Sequence, residues 1–141
     1  MAAIDATRKK MIRRAVTQLP DAMPEVSIDL WIRLARELSL IVGDAGFKSL
    51  YLRSIHLTKA SFPWIELNAP AHSIDFHLSS LKDNLAKQDY IEACEASTAL
   101  LITFVDILDA LIGRTLTMNI LRLAWGRQAL TMESKRNQPD E

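Results

Sequence analysis

Apolar residues recur at intervals of three and four along almost the whole chain, a spacing that is typical of amphipathic helices. No segment alternates apolar and polar residues for long enough to form a strand. Prolines at positions 20, 24, 63 and 70 interrupt the spacing and separate the helical segments. The pattern therefore predicts an all-α bundle of five to six helices, located approximately at residues 5–19, 28–42, 47–61, 73–87, 89–112 and 115–132.

Residues at the ends of these segments supply the expected start and stop signals. Side chains that can accept a bond from a free backbone amide are the expected N-caps: Asp5, Ser27, Ser73 and Thr115. Gly43 and Gly113 follow the second and fifth segments, and glycine commonly ends a helix. Because only residues 43–46 connect the second and third segments, we expect these two helices to form an antiparallel hairpin.

The segment 89–112 carries apolar residues around most of its circumference. Its acidic residues fall on one narrow stripe: Glu92, Glu95, Asp106 and Asp109. A surface helix usually shows an apolar arc of about 100°, and the arc here is much wider. We therefore predict a long, largely buried helix, either at the centre of the bundle or partly covered by a second subunit.

Two short stretches of the chain resemble each other. Residues 40–43 (LIVG) and 111–113 (LIG) both end a predicted helix. Each is followed, nine or ten residues later, by an arginine in an aliphatic turn, Arg53 and Arg122 respectively. Two helical hairpins built on one plan would explain this similarity. Chance is the alternative explanation, because amphipathic helices joined at a glycine look alike.

The length and charge of the chain indicate one domain with an uneven charge distribution. Its 141 residues include 17 basic and 17 acidic side chains, so the net charge indicates no charged partner. Residues 1–24 hold five of the basic and two of the acidic side chains. We divide the chain into a basic N-terminal arm or helix over residues 1–24, a helical bundle domain over 25–132 and a flexible tail over 133–141.

The sequence favours a cytoplasmic location. Cys94 is the one cysteine, whereas secreted chains of this size more often carry an even set. The first residues lack the apolar run of a secretory signal. The most apolar stretch, 96–105, is interrupted by Asp106 well short of the roughly 20 residues that a membrane span needs. This stretch therefore reads as part of a core helix.

His56 and Lys59 belong to the sharpest local motif of the chain. In residues 56–61 (HLTKAS), lysine follows the histidine at the third position, and small residues follow at the fourth and fifth. This motif resembles that of histidine phosphotransfer domains, which are small cytoplasmic helical bundles. The resemblance implies that His56 accepts a phosphoryl group and that Lys59 offsets its charge. Ala60 replaces the usual glycine and Pro63 ends the helix early, so a solvated basic helix face is the alternative interpretation.

The residue patterns do not predict a metal site or a catalytic centre. His72, Asp75 and His77 have suitable chemistry, but on the predicted helix His77 points roughly 200° away from Asp75. Glu92 and Glu95 lack the Glu-x-x-His spacing of carboxylate di-iron sites. The chain also contains neither a nucleophile elbow nor a glycine-rich phosphate loop. We therefore expect no enzyme activity, no cofactor and no evident small-molecule substrate.

The basic N-terminal segment raises a further alternative, the binding of nucleic acid or of an anionic membrane surface. Its candidate contacts are the five basic residues Arg8, Lys9, Lys10, Arg13 and Arg14. Five charges are few, and no aromatic residue lies between them to stack on bases. A solvated, basic terminus is the commoner explanation of such a segment.

The sequence thus favours a non-enzymatic regulatory or protein-interaction domain in a cytoplasmic signalling system. Its partner would be another protein or a second copy of the chain in a homodimer. The apolar residues expected at the interface come from the loop between Pro63 and Pro70, from a basic helix face and from the long helix. These residues are Trp64, Ile65, Leu52 and Ile102.

Overall fold

A computed structural model describes the backbone of residues 2–130 and the side chains of residues 6–126. The predicted tail over 133–141 lies outside the described residues. The described chain is all-helical and contains no strand. Its five helices are α1 (Ala2–Val16), α2 (Met23–Lys59), α3 (Ile74–Ala86), α4 (Tyr90–Ile112) and α5 (Arg114–Leu130), and a 3-10 turn at Pro20–Ala22 precedes α2. The predicted all-α bundle is confirmed.

Helix α2 reverses direction at Gly43. This residue has φ 81° and ψ 165°, a backbone conformation that is essentially restricted to glycine. The ring centroids of Trp31 and Tyr51 lie 5.0 Å apart, whereas twenty residues of straight helix would separate them by about 30 Å. Residues 23–42 (α2a) and 44–59 (α2b) therefore form the predicted antiparallel hairpin.

Three of the four predicted N-caps lie inside helices instead. Helix α2 already begins at Met23, because Pro24 is tolerated in a first turn whose amides need no helical partner. Ser27 consequently lies inside α2a and is fully buried. Thr115 likewise lies inside α5, which begins directly after Gly113.

Asp5 is the third of these residues, because helix α1 begins at Ala2. Ser73 does cap α3, since its hydroxyl accepts a bond of 3.2 Å from the amide of Phe76. Helix α4 is capped in the same way by Asp89, whose carboxylate accepts the amide of Glu92 at 2.8 Å.

Helix α4 is the long, largely buried helix that its wide apolar arc predicts. It packs against each of the other four helices. Its buried residues are Ala93, Cys94, Ala96, Ser97, Thr98, Leu100, Leu101, Phe104, Val105 and Leu108. The Trp31 ring, which is fully buried, meets Phe104 edge-on at 5.0 Å and thereby locks α2a against α4.

Helices α2a and α4 run parallel. Ser27 lies against Ser97, with 2.7 Å between the hydroxyl oxygens, and Trp31, one turn further on, lies against Phe104. The ends of both helices, at Gly43 and Gly113, therefore lie at the same end of the bundle. Helix α5 returns along α2a, because the indole of Trp125 donates a hydrogen bond of 3.0 Å to the carbonyl of Leu30.

The two hairpins share one plan at a spacing of 70 residues. Ser27 and Ser97 are separated by 70 positions and bond to each other. Gly113, with φ 89° and ψ 158°, repeats the conformation of Gly43 at the same spacing. Buried positions repeat as well, including Leu30 with Leu100, Leu34 with Phe104, Leu38 with Leu108, and Tyr51 with Leu121. The arginines of the sequence similarity do not correspond, because the counterpart of Arg53 at this spacing is Leu123 and not Arg122.

Helices α1 and α3, which lie outside the two hairpins, follow the same plan. Arg13 of α1 pairs with Glu95 of α4 at 3.1 Å, and Lys82 of α3 approaches Glu25 of α2a at 4.0 Å. Glu95 lies 70 residues after Glu25, and Lys82 lies 69 residues after Arg13. The segment from Arg13 to Glu25 is thus one residue shorter than the segment from Lys82 to Glu95, and the loops within them absorb this difference, so both pairs occupy equivalent positions. Reciprocal contacts of this kind are characteristic of an isologous, two-fold interface. Residues 2–59 and 74–130 are therefore two three-helix halves in an approximately two-fold arrangement.

Candidate functional site

His56 and Lys59, the motif shared with phosphotransfer domains, occupy the last turn of α2b. His56 is exposed. The ammonium of Lys59 donates hydrogen bonds to the carbonyls of Pro63 at 2.8 Å and Ile65 at 2.5 Å. Helix α2 ends at Lys59, so Ala60 follows the helix. Lys59 therefore holds the following loop in place, and its charge is directed at that loop.

The loop after α2 packs onto the body of the protein. The indole of Trp64 donates a hydrogen bond of 3.0 Å to the carboxylate of Glu92, and its ring meets Phe62 edge-on. Ile65 is 1% exposed and belongs to the hydrophobic core, so it has almost no surface to offer a partner.

The other predicted interface residues lie at the edge of the core. Leu52 of α2b and Ile102 of α4 are half-buried and pack against core side chains, as does Trp64. The structure does not bring these residues together into one exposed patch, because Trp64 is tied to the start of α4 whereas Ile102 lies in its middle.

The basic N-terminal segment is a helix docked on α4. Ile12, Ala15 and Val16 are buried in the core. Arg8 forms a salt bridge with Asp109, and only 7% of its side chain is exposed. Arg13 pairs with Glu95, so two of the five predicted polyanion contacts are engaged in ion pairs within the protein.

The remaining basic residues of α1 differ in their surroundings. Lys9 and Lys10 are exposed. Arg14 is half-buried and interacts with other groups of the chain. The five cations therefore do not form one open basic surface.

His72, Asp75 and His77 do not converge. His72 stacks on Phe76, with ring centroids 4.0 Å apart, and Asp75 is exposed. His77 is buried, and its burial, together with the charges of His72 and Lys48, lowers its pKa. Within the described residues, no group of three or more His, Cys, Asp or Glu side chains could hold a metal ion.

Three aliphatic side chains protrude at one end of the bundle. Leu40 is 82% exposed and Ile41 51% exposed at the end of α2a, and Leu111 is 61% exposed at the end of α4. We call these three residues the aliphatic tip. Leu38 and Leu108 are the last fully buried residues before it, so each helix extends beyond the core before its glycine turn.

Sequence reasoning did not identify the aliphatic tip as a surface. Ile41 and Leu111 continue the apolar spacing of their helices, and this spacing assigns them to the core. Their position shortly before Gly43 and Gly113 is the signal that separates them from core residues, because a reversing chain leaves the last turn of a helix uncovered. Leu40 instead follows Arg36 and Glu37 at helical spacing, so it lies on the polar side of α2a. No helix among the described residues is long and apolar enough to cross a membrane.

Comparisons with protein-family models, with curated proteins and with solved structures give no match for this chain. Its function is therefore inferred from the geometry of the chain itself.

Proposed function

We propose that this protein is a non-enzymatic regulatory or protein-interaction domain in a cytoplasmic signalling system, and that it binds a protein partner through the aliphatic tip. The observation that carries this proposal is the exposure of Leu40, Ile41 and Leu111 at the same end of the bundle. Single exposed aliphatic residues are common on protein surfaces, whereas several at one end of a fold favour a binding surface. The first candidate partner is a second copy of the chain.

The exposed area of the tip sets the strength of such a contact. The three exposed fractions correspond to about two whole side chains, each contributing about 1.5–3 kcal/mol when buried. A dimer would bury the tips of both copies, and association itself costs about 4 kcal/mol or more. The surplus is at most about 2–8 kcal/mol, which corresponds to a dissociation constant between micromolar and tens of millimolar, a weak and reversible contact.

Analytical ultracentrifugation of the full chain over a concentration series tests the proposal. We expect a monomer–dimer equilibrium in the wild type that Leu40→Glu and Leu111→Glu each abolish, while circular dichroism shows unchanged helicity. Ile91→Glu is the matched control, because Ile91 is 72% exposed at the opposite end of α4. A wild type that stays monomeric at millimolar concentration would exclude self-association. An equal loss in the control would show that the tip is not the contact.

A further inference from the structure

A groove of about 620 Å³ lies between α2a, α2b and the start of α3. Its apolar walls come from all three segments: Ile32 and Ala35 from α2a, Phe47 from α2b and Ile74 from α3. Ligand pockets in proteins typically measure about 300–1,000 Å³ and are lined mainly by apolar side chains with a few polar groups. The groove has the size and the composition of such a pocket.

Two cations line the groove without a carboxylate partner in the described part of the chain. Arg36 is exposed and forms no ion pair there. The ammonium of Lys48 donates a hydrogen bond of 3.1 Å to the carbonyl of His72, which carries no charge. Asp44 is the one carboxylate among the lining residues, so the lining carries a net positive charge.

The two-fold arrangement explains why this groove is open. Its counterpart beside the second hairpin lies between α4, α5 and α1, where Asp109 and Val105 take the places of Ser39 and Ala35. There Arg8 fills the space with its long side chain and forms the salt bridge with Asp109.

Beside the first hairpin (α2a and α2b), His77 of α3 takes the place of Arg8, since it lies 69 residues later, as Lys82 does with respect to Arg13. Ala35 and Ser39 line the groove and are smaller than their counterparts Val105 and Asp109, whereas His77 is not among the lining residues. The Nε2 atom of His77 is buried and has no hydrogen-bond partner among the described residues.

The charges of the two halves differ at the same place. The counterpart of Arg36 is Asp106, and the counterpart of Lys48 is Met118. Both cations are therefore specific to the half that has the open groove. Neither is needed for the shared plan of the hairpins, since the second half forms the same hairpin without them.

We propose that this groove binds a small organic acid with an apolar body. The carboxylate lies between the guanidinium of Arg36 and the ammonium of Lys48, and charge-assisted hydrogen bonds of this kind are about twice as strong as neutral ones. The apolar body covers Ile32, Ala35 and Ile74. This inference goes beyond the proposed interaction function, because it makes the domain responsive to a ligand.

Fluorescence titration with anilinonaphthalene sulfonate, an aromatic monoanion, tests the proposal on the full chain. We expect one saturable site, which octanoate displaces and octanol does not. Arg36→Glu and Lys48→Glu should each weaken binding about tenfold, equivalent to about 1.4 kcal/mol. Ala35→Trp should abolish binding by filling the groove, and circular dichroism verifies that each variant is folded.

Two controls separate the groove from other surfaces. Arg53→Glu removes an exposed cation of α2b that does not line the groove, and Ile91→Glu removes an exposed apolar side chain near the start of α4 that does not line it either. Both should bind the probe as the wild type does. The proposal is overturned if the wild type binds no probe, if Arg36→Glu and Lys48→Glu bind it unchanged, or if octanol displaces it as well as octanoate does. Loss of binding in Ile91→Glu alone would assign the probe to another apolar surface and also overturn the proposal.

Discussion

Substitution of Gly43 or Gly113 by alanine tests the physical origin of the two hairpins. Both residues have φ near +85° and ψ near 160°, a region where a non-glycine residue costs about 1–3 kcal/mol. A Cβ atom added at either position would meet no other atom within 4 Å, so no steric clash adds to this backbone cost. Alanine also reduces the conformational entropy of the unfolded chain, which stabilises the folded protein by about 0.4–1 kcal/mol. The net loss of stability should therefore be about 1–2 kcal/mol at each position.

Urea unfolding, followed by circular dichroism and tryptophan fluorescence, measures this loss. For a chain of 141 residues the same change lowers the melting temperature by about 3–7 °C. The two variants should lose similar amounts because the two backbone conformations are similar. Asp44→Ala is the control, since Asp44 is exposed and helical and should change stability by less than about 0.5 kcal/mol. Wild-type stability in both glycine variants would refute the backbone explanation.

Two further predictions concern buried polar groups. Ser27→Ala should cost about 1–2 kcal/mol, because it leaves the buried Ser97 hydroxyl without its partner at 2.7 Å, and Ser97→Ala should cost less, because the Ser27 hydroxyl still donates to the sulfur of Met23. The double variant should cost less than the sum, and strict additivity in this cycle would contradict the contact. The lowered pKa of His77 means that the unfolded chain binds more protons, so stability should fall as the pH drops below about 6.5, by up to about 1.4 kcal/mol per pH unit. His77→Phe should flatten this slope in urea titrations at several pH values, and an unchanged slope would assign it to other groups.

Local spacing was sufficient to predict the helices but not all of their starts. The end of α4 at Gly113 and the cap of α3 at Ser73 depend on residues adjacent in sequence, and both are confirmed. The start of α2 was misplaced because Pro24 resembles a break, although proline fits the first turn of a helix. The same local signal, a proline, therefore marks an interruption at Pro63 and a helix start at Pro24.

The surface was harder to predict than the fold, because exposure depends on which neighbours cover a residue. Ile65 lies in a loop between two prolines, yet it inserts into the core. Ile41 and Leu111 continue helical apolar stripes, yet they extend past the last core layer. Spacing within one helix determines which side a residue faces, and the lengths of the neighbouring helices determine whether that side is covered.

The two-fold plan is nearly invisible in the sequence for a physical reason. A core position requires an apolar side chain of suitable volume and accepts many identities, so Leu34 and Phe104 can serve equivalent sites. Burial therefore preserves the repeat where the residue letters differ. Differences between equivalent positions that burial does not require therefore carry information about function. Arg36 and Lys48 differ in charge from their counterparts, although the shared fold does not require this difference. The open groove that they line, and not the repeated core, is therefore the candidate ligand site.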